Sequence, residues 1–242
     1  SEHGEASLTA IDLDGATYAY EADTLRFDLK VEDGECVAVI GPSGAGKSTL
    51  LDMVAGFLRP ESGRVRLLGQ DMGGVDPAMR PVSMMFQDNN LFPHLTAEEN
   101  VAIGIEPRAR FGKAARERAR LALADVGLDA LATRQPAEMS GGERQRVALA
   151  RVMVRDRPIL LLDEPFAALG PALRRDMLAM VAGLRDRFAR PLTIVMVTHH
   201  PDDARVFADR VAFLDEGRVH LFSPVHDVLD RSMDPRVRAY LG

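Results

Sequence analysis

Gly41-Pro42-Ser43-Gly44-Ala45-Gly46-Lys47-Ser48-Thr49 fits the pattern G-x-x-x-x-G-K-[ST], and its flanks decide the fold. Before it, Cys36-Val37-Ala38-Val39-Ile40 is a short apolar run that reads as a buried strand. After it, Leu50-Leu51-Asp52-Met53-Val54-Ala55 continues as a helix. Glycines let backbone N–H groups converge on an anion, and the helix N-terminus adds partial positive charge. In this setting Lys47 reaches the outer phosphates of a nucleotide, and the Ser48 hydroxyl is the ligand for a magnesium ion.

A chain of 242 residues is long enough for a sizeable core, as one domain or a domain with a subdomain. The net charge of −6 argues against a nucleic-acid binder held by backbone electrostatics. A single cysteine, Cys36, lies inside the predicted strand, so no internal disulfide forms and a cytosolic setting fits. No apolar run approaches the 18 or so residues of a membrane span, and no signal peptide is visible. Any work at a membrane therefore goes through a partner.

Working outward, Ser7–Leu13 and Thr24–Val31 alternate apolar and polar residues as half-exposed strands, with Thr17–Tyr20 between them. The first helix ends at Arg59–Gly63, and Arg64–Leu68 and Val82–Gln87 read as further strands. Thr96–Glu99 is a capping box that opens a helix. Arg108–Val126 is helical and arginine-rich, closing at Gly127; interleaved Glu117 and Asp125 make it a solvated face rather than a nucleic-acid surface. Ser140–Glu143 is a second capping box, with a helix to about Val154. Ile159–Leu162 is an apolar strand that runs into Asp163-Glu164. Helix Pro171–Phe188, strand Pro191–Val197 and helix Asp202–Phe207 follow, then a hairpin turned by Glu216-Gly217. Alternating strands and helices imply a parallel sheet covered by helices, with residues 95–153 as a helical subdomain.

Two further stretches carry chemistry. Asp163 at a strand end beside the loop is placed to hold Mg²⁺, and the adjacent Glu164 to polarise an attacking water; the same pair also reads as two solvated acids before Pro165. Met139–Arg146 sets a serine hydroxyl and glycine N–H groups at a helix start, an anion site without a lysine, which a plain capping box also satisfies.

Taken together, the chain resembles the ATP-binding-cassette family over nearly its whole length. Gly41–Thr49 (Gly41, Pro42, Ser43, Gly44, Ala45, Gly46, Lys47, Ser48, Thr49) is similar to its Walker A loop, Ile159–Asp163 to its Walker B strand, and Glu164 to its catalytic base. Gln87 matches the Q-loop glutamine, which the family uses to sense Mg²⁺ and water. Ser140, Gly141, Gly142 and Glu143 resemble the signature that grips the γ-phosphate held by the opposite subunit. His199 matches the switch histidine, and Tyr20, with Tyr18 as a rival, the aromatic that stacks on adenine. The resemblance implies an α/β P-loop NTPase with a mixed central sheet, an N-terminal antiparallel β-subdomain and an inserted helical subdomain within one domain, 1–242. It further implies ATP and Mg²⁺ as ligands and a homodimer closed around two nucleotides. A transmembrane permease would dock near Gln87–Leu95 and a periplasmic substrate-binding protein act indirectly, with the chain peripheral on the cytoplasmic face of a bacterial inner membrane.

The departures are Met139 for leucine, Glu143 for glutamine, Gly170 for the aspartate that usually ends the segment after Walker B, and His200 for the aspartate after the switch histidine. Residues 80–92 and 161–173 are most similar to ATPase subunits of bacterial thiamine importers, with ferric-iron, polyamine and sulfate importers as the alternatives. A cassette acting on nucleic acid or ribosomes is the rival from another class, disfavoured because tandem cassettes, coiled-coil insertions and basic surfaces do not appear; a weakly hydrolytic regulatory cassette, motivated by Gly170, is the second.

Overall fold

The computed structural model describes residues 8–20, 23–86, 90–108 and 110–242. The strands are β1 (Thr9–Tyr20), β2 (Asp23–Glu32), β3 (Cys36–Ile40), β4 (Ser62–Leu67), β5 (Gln70–Asp71), β6 (Val82–Phe86), β7 (Ile159–Asp163), β8 (Thr193–Val197), β9 (Arg210–Asp215) and β10 (Arg218–Pro224). The helices are α1 (Lys47–Ala55), α2 (Ala97–Ala102), α3 (Lys113–Asp125), α4 (Gly141–Met153), α5 (Pro171–Gly183), α6 (Pro201–Phe207), α7 (Val225–Leu229) and α8 (Pro235–Leu241). All described strands share one sheet, in the order β5-β4-β1-β2-β10-β9-β3-β8-β7-β6.

The sheet has two halves. From β9 through β3, β8 and β7 to β6, neighbours pair in parallel; β1, β2, β4 and β5 pair antiparallel. The β9–β10 hairpin joins them, with β10 meeting β2 through one parallel pair, Arg218 with Arg26. Glu216 and Gly217 both take positive φ, the backbone that a two-residue hairpin turn with the right twist demands.

β3 explains why the middle of the sheet is hydrophobic on both faces. All five of its residues are buried. Cys36, Ala38 and Ile40 join the core under α2–α6, while Val37 and Val39 join the core under α1 and β1–β2. A strand covered on both sides cannot alternate apolar with polar, which is why 36–40 reads as a continuous apolar run. Burial pushes the Cys36 thiol up to about 12, so this cysteine is an inert packing group. β2, by contrast, alternates buried and exposed residues from Leu25 onward, as a one-sided strand should.

Several boundaries differ from the sequence expectation. Thr17–Tyr20 is part of β1, which continues past irregularities in its pairing near Gly15 instead of ending at Leu13. α1 stops at Ala55, because Gly56 takes a left-handed C-cap. α3 begins at Lys113 rather than Arg108 and closes as expected on left-handed Gly127. The N–H of Leu128 returns to the carbonyl of Leu123, and that of Gly127 to Ala124. α5 ends at Gly183 and passes into a single 3₁₀ turn, Leu184–Arg187.

The arginines of α3 are more than a solvated face. Arg116 and Arg120 reach Glu98 on α2 at 3.0 and 2.5 Å, and the Glu98 side chain is almost fully buried. Burial alone would raise the Glu98 carboxyl, but its bonds to Arg120 and Arg116 outweigh that and hold it below the usual range.

Buried Arg80 ties α1 to the strand β6 that follows. Its guanidinium donates to the carbonyls of Met53 and Val54 at the C-terminal end of α1, and to Met72 and Val75. A cation there offsets the partial negative charge of the helix end and satisfies carbonyls left without intrahelical partners. Arg80→Ala is expected to lower unfolding stability by about 2–4 kcal/mol, because those buried acceptors lose their donors. Urea unfolding should register this as a lower midpoint at constant m-value, with Arg80→Lys recovering only part of the loss because an ammonium lacks the planar fork.

Candidate functional site

Parallel pairing brings the C-terminal ends of β3, β8 and β7 side by side, the usual location of ligands in such sheets. The 41–49 loop leaves β3, the Asp163-Glu164 pair ends β7, and Thr198-His199-His200 follows β8. A cleft of about 310 Å³ is lined by Ser43, Gly44 and Gly46 to Thr49 of the loop together with Tyr20, Leu25, Glu164 and His199.

The loop's conformation follows from its glycines. Gly41 has φ +148°, and a Cβ there would stand 2.1 Å from the Leu214 carbonyl oxygen, so only glycine lets the loop cross β9 this closely. Gly46, also left-handed, is the N-cap of α1. Lys47 is 7% exposed and donates from Nζ to the carbonyls of Gly41 and Pro42, each at 2.8 Å, so its ammonium arches over the loop it belongs to. Burial lowers the Lys47 pKa, and the charges of Glu164 and Asp163 oppose that shift.

The Ser48 hydroxyl donates to Asp163 Oδ1 at 3.4 Å. Burial raises the Asp163 carboxyl; the Ser48 bond lowers it, and the charge of Glu164 beside it raises it again. Glu164 takes φ +48°, a left-handed conformation uncommon outside glycine, while its N–H donates to Val197 on β8. Its Oε2 lies 2.5 Å from His199 Nε2. The Glu164 side chain is mostly enclosed, whereas that of His199 is 54% exposed. A carboxylate held against an imidazole beside a phosphate loop can accept a proton from a water and hold the resulting charge in place.

The rivalry between the two tyrosines has a structural counterpart. Tyr18 packs against the core around β1–β2, whereas Tyr20 is 64% exposed and lines the cleft. Gln87 lies outside the described residues. Ser140–Glu143 does not line the cleft. Ser140 Oγ accepts from the Glu143 N–H and Glu143 Oε2 from the Ser140 N–H, so the departure at Glu143 closes a capping box at the start of α4. Gly142 packs so closely on α5 that a Cβ would stand 2.8 Å from Leu173 methyls. Met139 is buried, as a volume-conserving replacement for leucine requires. Gly170, the N-cap of α5, is exposed, and a Cβ built on it would meet nothing within 4 Å; the fold therefore leaves room for an aspartate that the chain lacks.

Two residues near these segments escaped the sequence reading. Asn100, fully buried on α2, accepts from the Phe92 N–H and donates to the carbonyls of Phe92, Leu95 and Thr96, pinning the loop that presents half-exposed Phe92. Its only signal was a polar residue on the buried face of a short helix. Tyr240 on α8 packs on Phe213 with ring centroids 5.5 Å apart. Burial raises its phenol; a hydrogen bond from the Gly41 backbone opposes this, and nearby Glu164 adds to it. The C-terminal helix thus backs the phosphate loop, a contact that no motif announces.

A strand–loop–helix phosphate cradle at the C-terminal ends of the central parallel strands of a mixed α/β sheet defines the fold as that of a P-loop NTPase. The ABC transporter family matches residues 25–167, and the chain belongs to it. The chain is 51% identical to the thiamine import ATP-binding protein ThiQ of Mesorhizobium japonicum, over 95% of this chain and 90% of that protein. In three dimensions it resembles cbiO1 from Clostridium perfringens, part of the ABC transporter complex cbiONQ. That match has a TM-score of 0.82 at 28% identity, over 91% of this chain and 90% of the other. It also resembles an ATP-binding cassette solved as a dimer in a post-hydrolysis state with ADP and Pi, with a TM-score of 0.73 at 29% identity, covering 90% and 99% of the two chains. No helix among the described residues is long and apolar enough to cross a membrane.

Proposed function

We propose that this chain is the ATP-hydrolysing subunit of a thiamine importer, working as a single nucleotide-binding domain with a helical subdomain over 95–153. The observation that carries the hydrolytic reading is the meeting of Lys47, Ser48, Asp163, Glu164 and His199 around one cleft. Lys47 and the loop N–H groups bind the phosphates, Tyr20 stacks on the adenine, Glu164 acts as general base, and His199 orients it. Ser48 and Asp163 offer only hard oxygen donors at one corner, the set a small dication such as Mg²⁺ takes alongside phosphate oxygens, and Gln87 is the third candidate for it. When bound, Mg²⁺ supplies charge neutralisation on the phosphoryl group.

Two copies close head to tail, so that Ser140–Glu143 of one meets the nucleotide on the loop of the other. That reading accounts for an exposed, capped helix start outside the chain's own cleft. The permease docks near Gln87–Leu95, where Phe92 is exposed, and a periplasmic binding protein delivers substrate from the other side. The chain then lies on the cytoplasmic face of the inner membrane.

Reconstitution with its permease tests the substrate. ATP turnover in proteoliposomes should rise severalfold with thiamine-loaded binding protein inside. Stimulation instead by ferric iron, a polyamine or sulfate would reassign the importer.

A further inference from the structure

Beside the Glu164–His199 contact lies a second connection between the two loops, built from side chains that no motif used above assigns. Asp203, in the first turn of α6, is nine-tenths buried, and each of its carboxylate oxygens is engaged. Oδ1 stands 3.2 Å from Arg174 Nε, and Oδ2 accepts the Thr198 hydroxyl proton at 2.8 Å. The Thr198 oxygen in turn accepts from the His200 N–H at 3.1 Å. The Thr198 N–H donates to Val39 on β3, the strand that feeds the phosphate loop, and the Asp203 N–H returns to the His200 carbonyl. Residues 199 and 200 are therefore held from both sides by one carboxylate and one hydroxyl.

Arg174 sits one turn into α5, its N–H bonded to the Gly170 carbonyl, and α5 follows directly on the loop that begins at Glu164. Glu164, Pro165, Phe166 and Ala167 from that loop line one small pocket together with Arg174, Thr198, His199 and Asp203. We infer that Arg174 and Asp203 are positioning residues: they fix the His199 loop relative to the Glu164 loop. They do so through the Thr198 hydroxyl, independently of the contact between Glu164 and His199 themselves.

The physical need is plain from the exposure of the histidine. More than half of the His199 side chain is in solvent, and among the described residues its ion-pair contact is the single one to Glu164, so the ring direction is set by the backbone beneath it. Asp203 keeps the Thr198 proton on its own side, which leaves a Thr198 lone pair facing the His200 N–H. An amide in place of the carboxylate has one acceptor oxygen for two donors, so either Arg174 or the Thr198 hydroxyl loses its partner, and the turn carrying His199 loses an anchor. A displacement on the order of 1 Å at such a position costs roughly 100-fold in rate. The same strap begins at the first turn after Gly170, so movement of the 164–170 loop on dimer closure would reach His199 even though residue 170 carries no side chain.

The inference rests on the reading of His199 as part of the hydrolytic site, and the test separates the two. ATP turnover would be measured for His199→Ala, Asp203→Asn, Thr198→Val, Arg174→Met and Arg174→Lys, with thermal unfolding of each. Asp203→Asn, Thr198→Val and Arg174→Met should each lower kcat by about 10- to 100-fold with the KM for ATP within about twofold. Arg174→Lys should recover part of the loss. Adding Asp203→Asn to His199→Ala should lower turnover no further, because both act through one imidazole. Thr198→Val keeps the side-chain shape and removes only the hydroxyl, so it reports on the strap even if the charged variants fold poorly. Wild-type turnover in His199→Ala would overturn the site assignment beneath the inference. Loss in His199→Ala with unchanged kcat in folded Thr198→Val and Asp203→Asn would overturn the strap alone.

Discussion

Glu164→Gln is expected to cut ATP turnover by roughly 10²- to 10⁴-fold, the range general-base catalysis supplies, while ATP binding persists. The glutamine keeps the size of the side chain and one oxygen that can accept from His199 Nε2, so the 2.5 Å contact has a neutral substitute. What disappears is the basic group and one of two adjacent negative charges. Losing that charge should ease the Asp163 carboxyl downward, since Glu164 is one of the influences raising it, and leave a less repulsive pocket for triphosphate. A variant that binds without hydrolysing should collect as an ATP-bound dimer. Phosphate release and size-exclusion chromatography with ATP and with ADP would measure both properties. Turnover within twofold of the parent chain would remove Glu164 from the role of base and return the regulatory reading suggested by Gly170.

Lys47→Ala should act earlier, on binding. Lys47 is 7% exposed, and the Gly41 and Pro42 carbonyls hold its ammonium over the loop. Hydrogen bonds to charged groups contribute about 1.5–3 kcal/mol each, and losing more than one predicts on the order of a 10²-fold or greater drop in ATP affinity. The variant also removes a buried cation next to Asp163 and Glu164, whose charges support its protonation. Equilibrium titration with a fluorescent ATP analogue, read against a Glu164→Gln background to suppress turnover, isolates the binding loss. Unchanged affinity would mean that the loop N–H groups alone hold the phosphates.

How much of each feature is legible in the sequence follows how local it is. The phosphate loop was legible because every requirement for it lies within about ten residues: an apolar strand, glycines free to take positive φ, a lysine and a helix start. The capping boxes at Thr96 and Ser140 were legible for the same reason, and both form with the reciprocal bonds their spacing implies. Boundaries were less legible. β1 runs through Tyr20 because pairing with β2 and β4 carries it past its irregularities, and neither partner is visible in the local pattern. α1 ends early because Gly56 reverses the chain beneath Arg80, a residue 24 positions away.

By itself, then, the sequence determined the class of fold and the phosphate cradle, since each is written in contiguous residues with a definite backbone consequence; the acid pair and the histidine were singled out by the order of motifs that the family resemblance supplied. The tertiary structure alone decided that β8 lies between β3 and β7, which brings Asp163, Glu164 and His199 to the mouth of the loop. It put Tyr20, which the sequence already favoured over its rival Tyr18, at the cleft and packed Tyr18 against the core, because exposure depends on what packs against a strand. And it alone joined Arg174, Asp203 and Thr198, Asn100 to its loop, and Tyr240 to Gly41. The distant pairings, Arg174 with Asp203 and Tyr240 with Gly41, are set by which elements the sheet order makes neighbours, and the nearer ones by how the chain turns between its elements; no spacing along the chain encodes either.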